Sequence, residues 1–205
     1  MRTTPWHILF LIAALASSPL AKAQAGSENH IPPIDIGGTF TTERTKVVAG
    51  DCGCFWLQGG TAEANIHVYR DISAAVNLTG SHASNIGPVV DVSQIAVMAG
   101  PRYTYRTSRW TGRWLGDRYH TSVFGEALFG GVHAFEGAFP YSGGIKDSAT
   151  ALSMQFGGGL DVRLSQAFAL RAIEVDYVRT SLPNATTDSQ HDLRLAIGVT
   201  YHLHR

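Results

Sequence analysis

Three residues in the middle of the chain have types and spacing that could support nucleophilic catalysis. His120, Ser122 and Glu126 occupy alternate positions of one segment, so their side chains would share one face of a β-strand. A serine becomes a nucleophile when a base lies within hydrogen-bond reach and a third group orients that base. We predict instead that Glu126 is an ion-pair partner in the interior and that no residue is catalytic.

Two other groups could bind a metal ion. His202 and His204 share a face near the end of the chain, but a third ligand is not evident, and we interpret them as an exposed chain end. Cys52 and Cys54 are the only cysteines in the sequence. In an oxidising compartment they could form a small disulfide, or they could remain free thiols. We therefore expect neither a metal nor a cofactor.

Eight alternating segments carry these residues. In the segment that starts at Leu152, apolar residues fall on one parity and polar residues on the other, which is the pattern of a β-strand with two unlike faces. The predicted strands are 34–44, 55–69, 72–81, 92–106, 120–135, 150–164, 168–181 and 191–204. No segment of comparable length has a convincing helical period.

The connections between these strands alternate in length. Long ones are predicted at 45–54, 82–91, 136–149 and 182–190, and tight turns at 70–71 and 165–167. Short turns at one end and long loops at the other are typical of an all-β, eight-stranded antiparallel up-and-down transmembrane β-barrel. The segment 107–119 is an exception, because it is long where a short turn is expected.

The polar parity is predicted to face the lumen. Its residues are mostly small, which suits an eight-stranded barrel whose interior is just wide enough for side chains. The predicted lumen charge network is Glu63, Arg102, Glu126, Asp161, Arg163, Glu174, Asp176 and Arg194. We expect Arg102 to pair with Glu126, and Arg163 or Arg194 to reach Glu174 or Asp176. Arg171 shares the apolar parity, and its stem is predicted to extend to the membrane interface.

Aromatic residues at the strand ends are predicted to lie at the two membrane interfaces. They are Tyr103, Tyr105, Trp110, Trp114, Phe135, Tyr177 and Tyr201. The segment 107–119, TSRWTGRWLGDRY, alternates arginine with tryptophan. We interpret it as an anchor at the membrane edge; it could instead bind a periplasmic partner or anionic headgroups.

The start of the chain has the features of an export signal. A basic Arg2 precedes a short apolar run at 8–16 and small residues around position 23. The run is too short for a membrane-spanning helix. The predicted domains are a signal peptide at 1–25, a periplasmic leader at 26–33 and a barrel at 34–205. The formal net charge of zero gives no reason to expect nucleic acid.

The segments FGGGLDVRLSQAFALRAIEVDYVRT and QHDLRLAIGVTYHL resemble the last three strands of small bacterial outer-membrane β-barrel domains of the OmpA and opacity type. The resemblance extends more loosely over 34–204. It implies a porin-like barrel in the outer membrane of a Gram-negative-type envelope, with roles such as surface anchoring, adhesion or membrane integrity. Such barrels commonly finish on an aromatic residue, whereas this chain finishes YHLHR.

The function expected from these observations is non-enzymatic. The protein would be a structural or surface-interacting outer-membrane barrel with extracellular loops and a salt-bridged, largely plugged lumen. Its partners would be outer-membrane lipid and extracellular or periplasmic proteins, and it would be a monomer. Two alternatives remain: an exported, soluble lipocalin-like barrel whose apolar parity lines a ligand cavity, and a lipid A-modifying barrel enzyme that uses Ser122 and His120. In the predicted topology both residues lie at the periplasmic end, away from an outer-leaflet substrate.

Overall fold

The computed structural model describes residues 33–46, 54–87, 90–107, 120–141, 143–183 and 188–203. Its strands are β1 (Ile34–Lys46), β2 (Cys54–Tyr69), β3 (Ile72–Gly87), β4 (Val90–Thr107), β5 (His120–Phe135), β6 (Phe139–Tyr141), β7 (Gly144–Lys146), β8 (Ala149–Arg163), β9 (Phe168–Thr180) and β10 (Gln190–Leu203). Within these residues, no helix is long and apolar enough to cross a membrane.

Eight of the strands form a closed barrel in the order β1-β10-β9-β8-β5-β4-β3-β2, and every neighbouring pair is antiparallel. This confirms the predicted all-β, eight-stranded fold. The predicted long loop at 82–91 is wrong, because β3 and β4 continue to pair as far as Gly87 and Val90. The connection at 136–149 contains a feature that the sequence did not indicate, the two-stranded ribbon of β6 and β7.

The two ends of the barrel differ. The tight turns Arg70–Asp71 and 165–167 lie at one end together with Ile34 and Leu203, and we call this the turn end. Arg70 adopts a positive φ of 48° there, a left-handed conformation that is common in tight turns. At the opposite end β1, β3, β5 and β9 finish and β2, β4, β8 and β10 begin, and the β6–β7 ribbon lies between β5 and β8; we call it the loop end. The end of β4 and the start of β5 lie at the turn end.

Cross-strand pairing fixes the tilt of the strands. Residues directly opposite each other in an antiparallel pair point to the same face of the sheet. One continuous row of such pairs runs Glu43, Arg194, Asp176, Gly157, Glu126, Arg102, Ser73 and His67. The backbone amide of His67 then donates to the carbonyl of Pro33, just before β1. The row that started at Glu43 on β1 has therefore gone once around the barrel and reached the chain again ten residues earlier, at Pro33. A stagger of this kind is the shear that closes a barrel with tilted strands.

The alternation of the strands places apolar side chains on the outside. On β3, Val76 and Leu78 are exposed, whereas Asn77 and Thr79 are buried in the lumen. The strands of the barrel contain 13 to 18 residues, more than the roughly 9–11 that a tilted transmembrane strand needs. This arrangement is the reverse of the soluble, lipocalin-like alternative, in which the apolar parity would line a cavity.

Aromatic side chains lie toward both ends of the outer surface. Tyr103, Tyr105 and Tyr201 are exposed near the turn end, where Tyr201 contacts Phe168 with 5.0 Å between ring centroids. Phe135 and Tyr177 lie near the loop end. Trp110 and Trp114, which were predicted at an interface, lie outside the described residues.

A β-bulge on β9 corrects the prediction for Arg171. Leu160 pairs with Ile173 and Asp161 pairs with Arg171, which leaves Ala172 as an extra residue on β9. Ala172 and Ile173 therefore both point outward, and the alternation of the residues before them is reversed. Arg171 points into the lumen and is only 1% exposed, so its predicted position at the membrane interface is wrong.

We expect deletion of Ala172 to leave every other side chain of β9 on its present face, because the deletion removes only the extra residue. Deletion of Val175 is the matched control on the same strand. It reverses the facing of the side chains on one side of the deletion, so that either Asp176, or Glu174 together with Arg171, points toward the apolar surface. The cost reaches about 2–4 kcal/mol for an arginine at the bilayer midplane. Refolding from urea into detergent micelles, scored by the gel mobility of unboiled samples, measures the folded fraction. Equal loss of folding in both variants would contradict this account of the bulge.

Candidate functional site in the barrel lumen

The centre of the lumen is a carboxylate held by two arginines. Arg102 Nη2 donates to Glu63 Oε2 at 2.9 Å, and Arg171 Nη2 donates to Glu63 Oε1 at 2.7 Å. Glu63 is on β2, Arg102 on β4 and Arg171 on β9, so the contacts join strands from different sides of the barrel. All three side chains are buried. Because each bond is charge-assisted, this group is a strong cross-link through the interior.

Glu126 extends the network on the β5 side. Arg102 Nε donates to Glu126 Oε2 at 2.8 Å. The other carboxylate oxygen, Oε1, accepts from Gln155 Nε2 at 2.9 Å, and Asn77 Nδ2 lies 3.5 Å from it. Glu126 thus receives donors from three strands, β3, β4 and β8.

Gln155 connects this group to a second arginine–carboxylate pair. Its Oε1 accepts a hydrogen bond of 3.0 Å from Arg194 Nη1, while Arg194 Nη2 and Nε donate to Glu43 Oε2 at 2.7 and 2.9 Å. The amide of Gln155 can serve both sides because it carries one acceptor and two donors. The charged residues of the lumen therefore form one hydrogen-bonded network rather than separate pairs.

Arg171 is also bonded to two acids near its own backbone. Its Nε donates to Asp161 Oδ1 at 3.0 Å, and its Nη1 donates to Glu174 Oε2 at 3.0 Å. Phe124 lies beneath both guanidinium groups: the ring centroid is 4.4 Å from Cζ of Arg102 and 4.5 Å from Cζ of Arg171. The negative face of an aromatic ring attracts cations, so Phe124 helps two like charges to lie close together.

Glycine supplies the space that these side chains need. A Cβ atom built on Gly157 would lie 1.9 Å from Oδ1 of Asp176, and one built on Gly159 would lie 2.9 Å from the ring of Phe124. Both glycines are on the lumen parity of β8. Two bulky interior side chains therefore depend on the absence of a side chain on the neighbouring strand.

A second cluster of polar side chains, separate from the charge network, joins neighbouring strands at the turn end. His67 Nε2 lies 3.0 Å from Asp35 Oδ2, and His202 Nδ1 lies 2.7 Å from Asp35 Oδ1. Ser73 Oγ lies 3.2 Å from the other ring nitrogen of His67. Asp35 on β1 is thus bonded to both neighbouring strands, β2 and β10, at the seam between the first and last strands of the barrel.

An apolar cluster fills another part of the interior. It comprises Ala75, Ala96, Met98, Leu128, Val132, Ala134, Phe139 and Leu182. Phe139 comes from the β6–β7 ribbon, and Leu182 comes from the connection after β9. Two loop-end connections therefore each place a side chain against the interior of the barrel.

The structure brings together seven of the eight residues that the sequence predicted for the lumen network: Glu63, Arg102, Glu126, Asp161, Glu174, Asp176 and Arg194. Arg102 contacts Glu126, as expected. Arg194 pairs with Glu43 instead of Glu174 or Asp176, although it is the cross-strand neighbour of Asp176. Arg163 is half-buried near the turn end, and the salt bridges of the described residues do not include it.

Of the residues considered for catalysis, Glu126 belongs to this network, as predicted for an interior ion-pair partner. The candidates for metal binding or a disulfide that the structure describes remain separate from it. Ser122 is half-buried near the turn end and pairs across strands with Arg106 and Asp161. Cys54 is half-buried at the start of β2. His202 belongs to the Asp35 group. Cys52, His204 and the side chain of His120 lie outside the described residues, so the disulfide stays a prediction.

Sequence reasoning missed several members of the network, among them Glu43, Phe124 and Arg171. Glu43 lies on the same parity as Asp35, Thr39 and Thr41, so the alternation of β1 could have identified it. For Arg171 the signal is a change of phase on β9, where the apolar positions shift from even to odd numbers between 170 and 173. Phe124 gave no signal, because an aromatic residue on a polar parity does not reveal which cations it contacts.

We expect Glu63→Gln to lower the free energy of unfolding by about 3–5 kcal/mol, because it leaves two buried guanidinium groups short of a counter-charge. Urea titration of the protein in detergent micelles measures this loss. Asp161→Asn is the matched control: it also removes a carboxylate bonded to Arg171, but its side chain is 16% exposed, and the loss should be smaller. A control that is as destabilising as Glu63→Gln would contradict the central role of Glu63.

The likeness to one solved structure supports the fold. The crystal structure of Neisserial surface protein A (NspA) has a TM-score of 0.62 at 14% identity, with 82% of this chain and 96% of that chain covered. The attachment invasion locus protein Ail of Yersinia pestis has a TM-score of 0.47 at 14% identity, covering 84% and 99% of the two chains. No family model and no curated protein matches this chain. The fold is that of the small eight-stranded outer-membrane β-barrels.

Proposed function

We propose that this protein is a non-enzymatic outer-membrane β-barrel that serves as a structural element and as a surface-interacting protein, with a lumen plugged by ion pairs. The observation that carries the proposal is the division between its two faces. The outside is apolar along the middle of the strands, with Ile95, Val97 and Ile197 all exposed, whereas the charged residues of the lumen network, such as Glu63, Arg102 and Arg171, are buried. Only a surrounding apolar solvent makes this division favourable, because water would leave the apolar belt exposed.

The buried network supports a closed lumen. Arg102 and Arg171 both bond to Glu63 across the interior, and the apolar cluster occupies another part of it. An ion moving along the barrel would have to break charge-assisted hydrogen bonds among buried groups, which is costly. The proposed lumen is therefore a packed core and not a wide pore.

The loop end supports a role in surface interaction. On the β6–β7 ribbon, Tyr141 and Ile145 are exposed, and Lys146 Nζ lies 4.6 Å from the ring centroid of Tyr141. The ribbon is held to the barrel by the buried Phe139. Exposed apolar and aromatic side chains on a rigid support are typical of interaction sites. The proposed partners are outer-membrane lipid along the belt and extracellular molecules at this end.

The positions of the serines argue against a hydrolase. Ser73, His67 and Asp35 are bonded in the order of a catalytic triad, but Ser73 is only 2% exposed. A nucleophile must be reachable by the substrate carbonyl, and this serine is covered by the barrel wall. Asp35 also binds His202, which fits a structural role where the barrel closes.

We expect the protein to fractionate with outer membranes and to migrate faster on a detergent gel when it is not boiled, because a closed barrel resists detergent until it is heated. Boiled samples of the same fraction provide the control. A band that stays in the soluble periplasmic fraction and shows no heat-dependent shift would overturn the membrane proposal.

We also expect the folded protein in a planar lipid bilayer to give no steady conductance, because paired side chains occupy the lumen. Single-channel recording at neutral pH measures this, with detergent alone as the control. A stable open level of reproducible size would contradict the plugged lumen while leaving the outer-membrane location intact.

A further inference from the structure

We infer that the lumen contains a binding site for a divalent cation, formed by Glu126 on β5 and by Glu174 and Asp176 on β9. One carboxylate oxygen from each residue lies within 4.8 Å of the corresponding oxygens of the other two, and all three residues are buried. Oxygens that bind one Ca²⁺ at about 2.3–2.6 Å can be at most about 5 Å apart. The three side chains therefore stand at a spacing that a single ion can bridge.

Buried acidic residues outnumber buried basic residues in the lumen. Among the described residues, the buried carboxylates are Glu43, Glu63, Glu126, Glu174, Asp176 and Asp192, and the buried guanidinium groups are Arg102, Arg171 and Arg194. Six acids thus face three bases. Isolated buried charges are very costly, so the excess carboxylates need either bound protons or a cation. A divalent cation supplies two positive charges at one point.

The hydrogen bonds of the arginines go to carboxylates other than Asp176. Glu126 accepts from Arg102 and Glu174 accepts from Arg171. Asp176, in contrast, is 1% exposed, and its Oδ1 has no hydrogen-bond partner in the structure. Asp176 thus brings to the cluster a buried carboxylate with an oxygen that lacks a donor, and a cation could supply the missing partner.

An uncharged oxygen adjoins the same place. Asn77 contacts Glu126 Oε1 through Nδ2 at 3.5 Å, and its own Oδ1 is buried without a partner. Rotation of this amide about χ2 exchanges its nitrogen and oxygen, so Asn77 can present a neutral oxygen ligand to an ion beside Glu126. The site then offers three carboxylates and one amide oxygen.

This donor set selects the class of ion. Carboxylate and amide oxygens are the ligands of hard cations, and thiolates and imidazoles, which select zinc or copper, do not belong to the cluster. Mg²⁺ gives up its water with difficulty, whereas Ca²⁺ accepts irregular sets of protein oxygens. Since the site is buried and surrounded by packed side chains, we assign it to Ca²⁺.

The test uses the full exported protein folded in nonionic detergent, either with Ca²⁺ or with a chelator. After gel filtration in metal-free buffer, elemental analysis measures the metal that remains, and urea titration measures the midpoint of unfolding. We expect about one Ca²⁺ per wild-type chain and a higher midpoint in the Ca²⁺-folded sample. Asp176→Asn should retain roughly a tenth of that Ca²⁺ or less, because it removes the charge of the carboxylate whose Oδ1 lacks a hydrogen-bond donor.

Asp192→Asn is the matched control, since Asp192 is also buried and its Oδ1 also lacks a partner, but it lies outside the cluster. This variant should bind Ca²⁺ like the wild type. If Asp176→Asn does not fold, Glu174→Gln replaces it, because the amide oxygen can still accept from Arg171.

Three results would overturn the site. The first is a wild-type protein that retains no Ca²⁺, with a midpoint that falls as the pH rises, which would mean that the excess carboxylates hold protons. The second is equal Ca²⁺ retention by the wild type and the cluster variants. The third is loss of Ca²⁺ from Asp192→Asn to the same extent. None of these results affects the outer-membrane proposal, which the gel and fractionation experiment tests independently.

Discussion

The interior of an eight-stranded barrel is only as wide as the side chains that fill it, so each charge placed there must find its partner on a neighbouring or facing strand. Glu63 meets this constraint by accepting from Arg102 and Arg171 together. The two guanidinium groups can approach each other because the carboxylate lies between them and the ring of Phe124 lies beneath both. Remaining polar groups then bond outward from this centre, through Glu126 and Gln155 to Arg194. The rest of the network depends on this one bridged carboxylate.

The backbone register supplies the positions that the network requires. Cross-strand pairs place Glu43, Arg194, Asp176, Glu126 and Arg102 in a single row along the tilt of the sheet. Gly157 interrupts the row between Asp176 and Glu126, and its missing side chain is what gives Asp176 room. One additional residue, Ala172, is enough to bring Arg171 into the same interior. Small backbone irregularities therefore decide which charges meet, whereas side-chain flexibility only adjusts the contacts.

Most of the architecture could be predicted from the alternation of residue types, because the period of two is imposed on every strand by an apolar exterior. Where the alternation is continuous, as on β3 around Asn77, both the strand and its facing were predictable. Prediction failed where the period slips, at Arg171, and where pairing continues through a polar segment, at the end of β3. It also failed for partner choice: parity places Arg194 in the lumen but does not reveal that Glu43 is nearer to it than Glu174. That choice depends on strand tilt and side-chain reach, which a single sequence does not contain.

Each of two loop-end connections has a buried part that packs in the barrel interior and an exposed part that faces outward. Phe139 and Leu182 are buried with Met98 and Leu128, although neither belongs to a barrel strand. Burying a side chain offsets the entropy lost when a connection is ordered, so each buried residue fixes the base of its loop. Beyond that base, Ile145 is 73% exposed and makes no comparable contribution to the core. Substitutions at such exposed positions can change what the surface binds with little effect on the barrel, whereas substitutions at Phe139 alter the packing of the lumen itself.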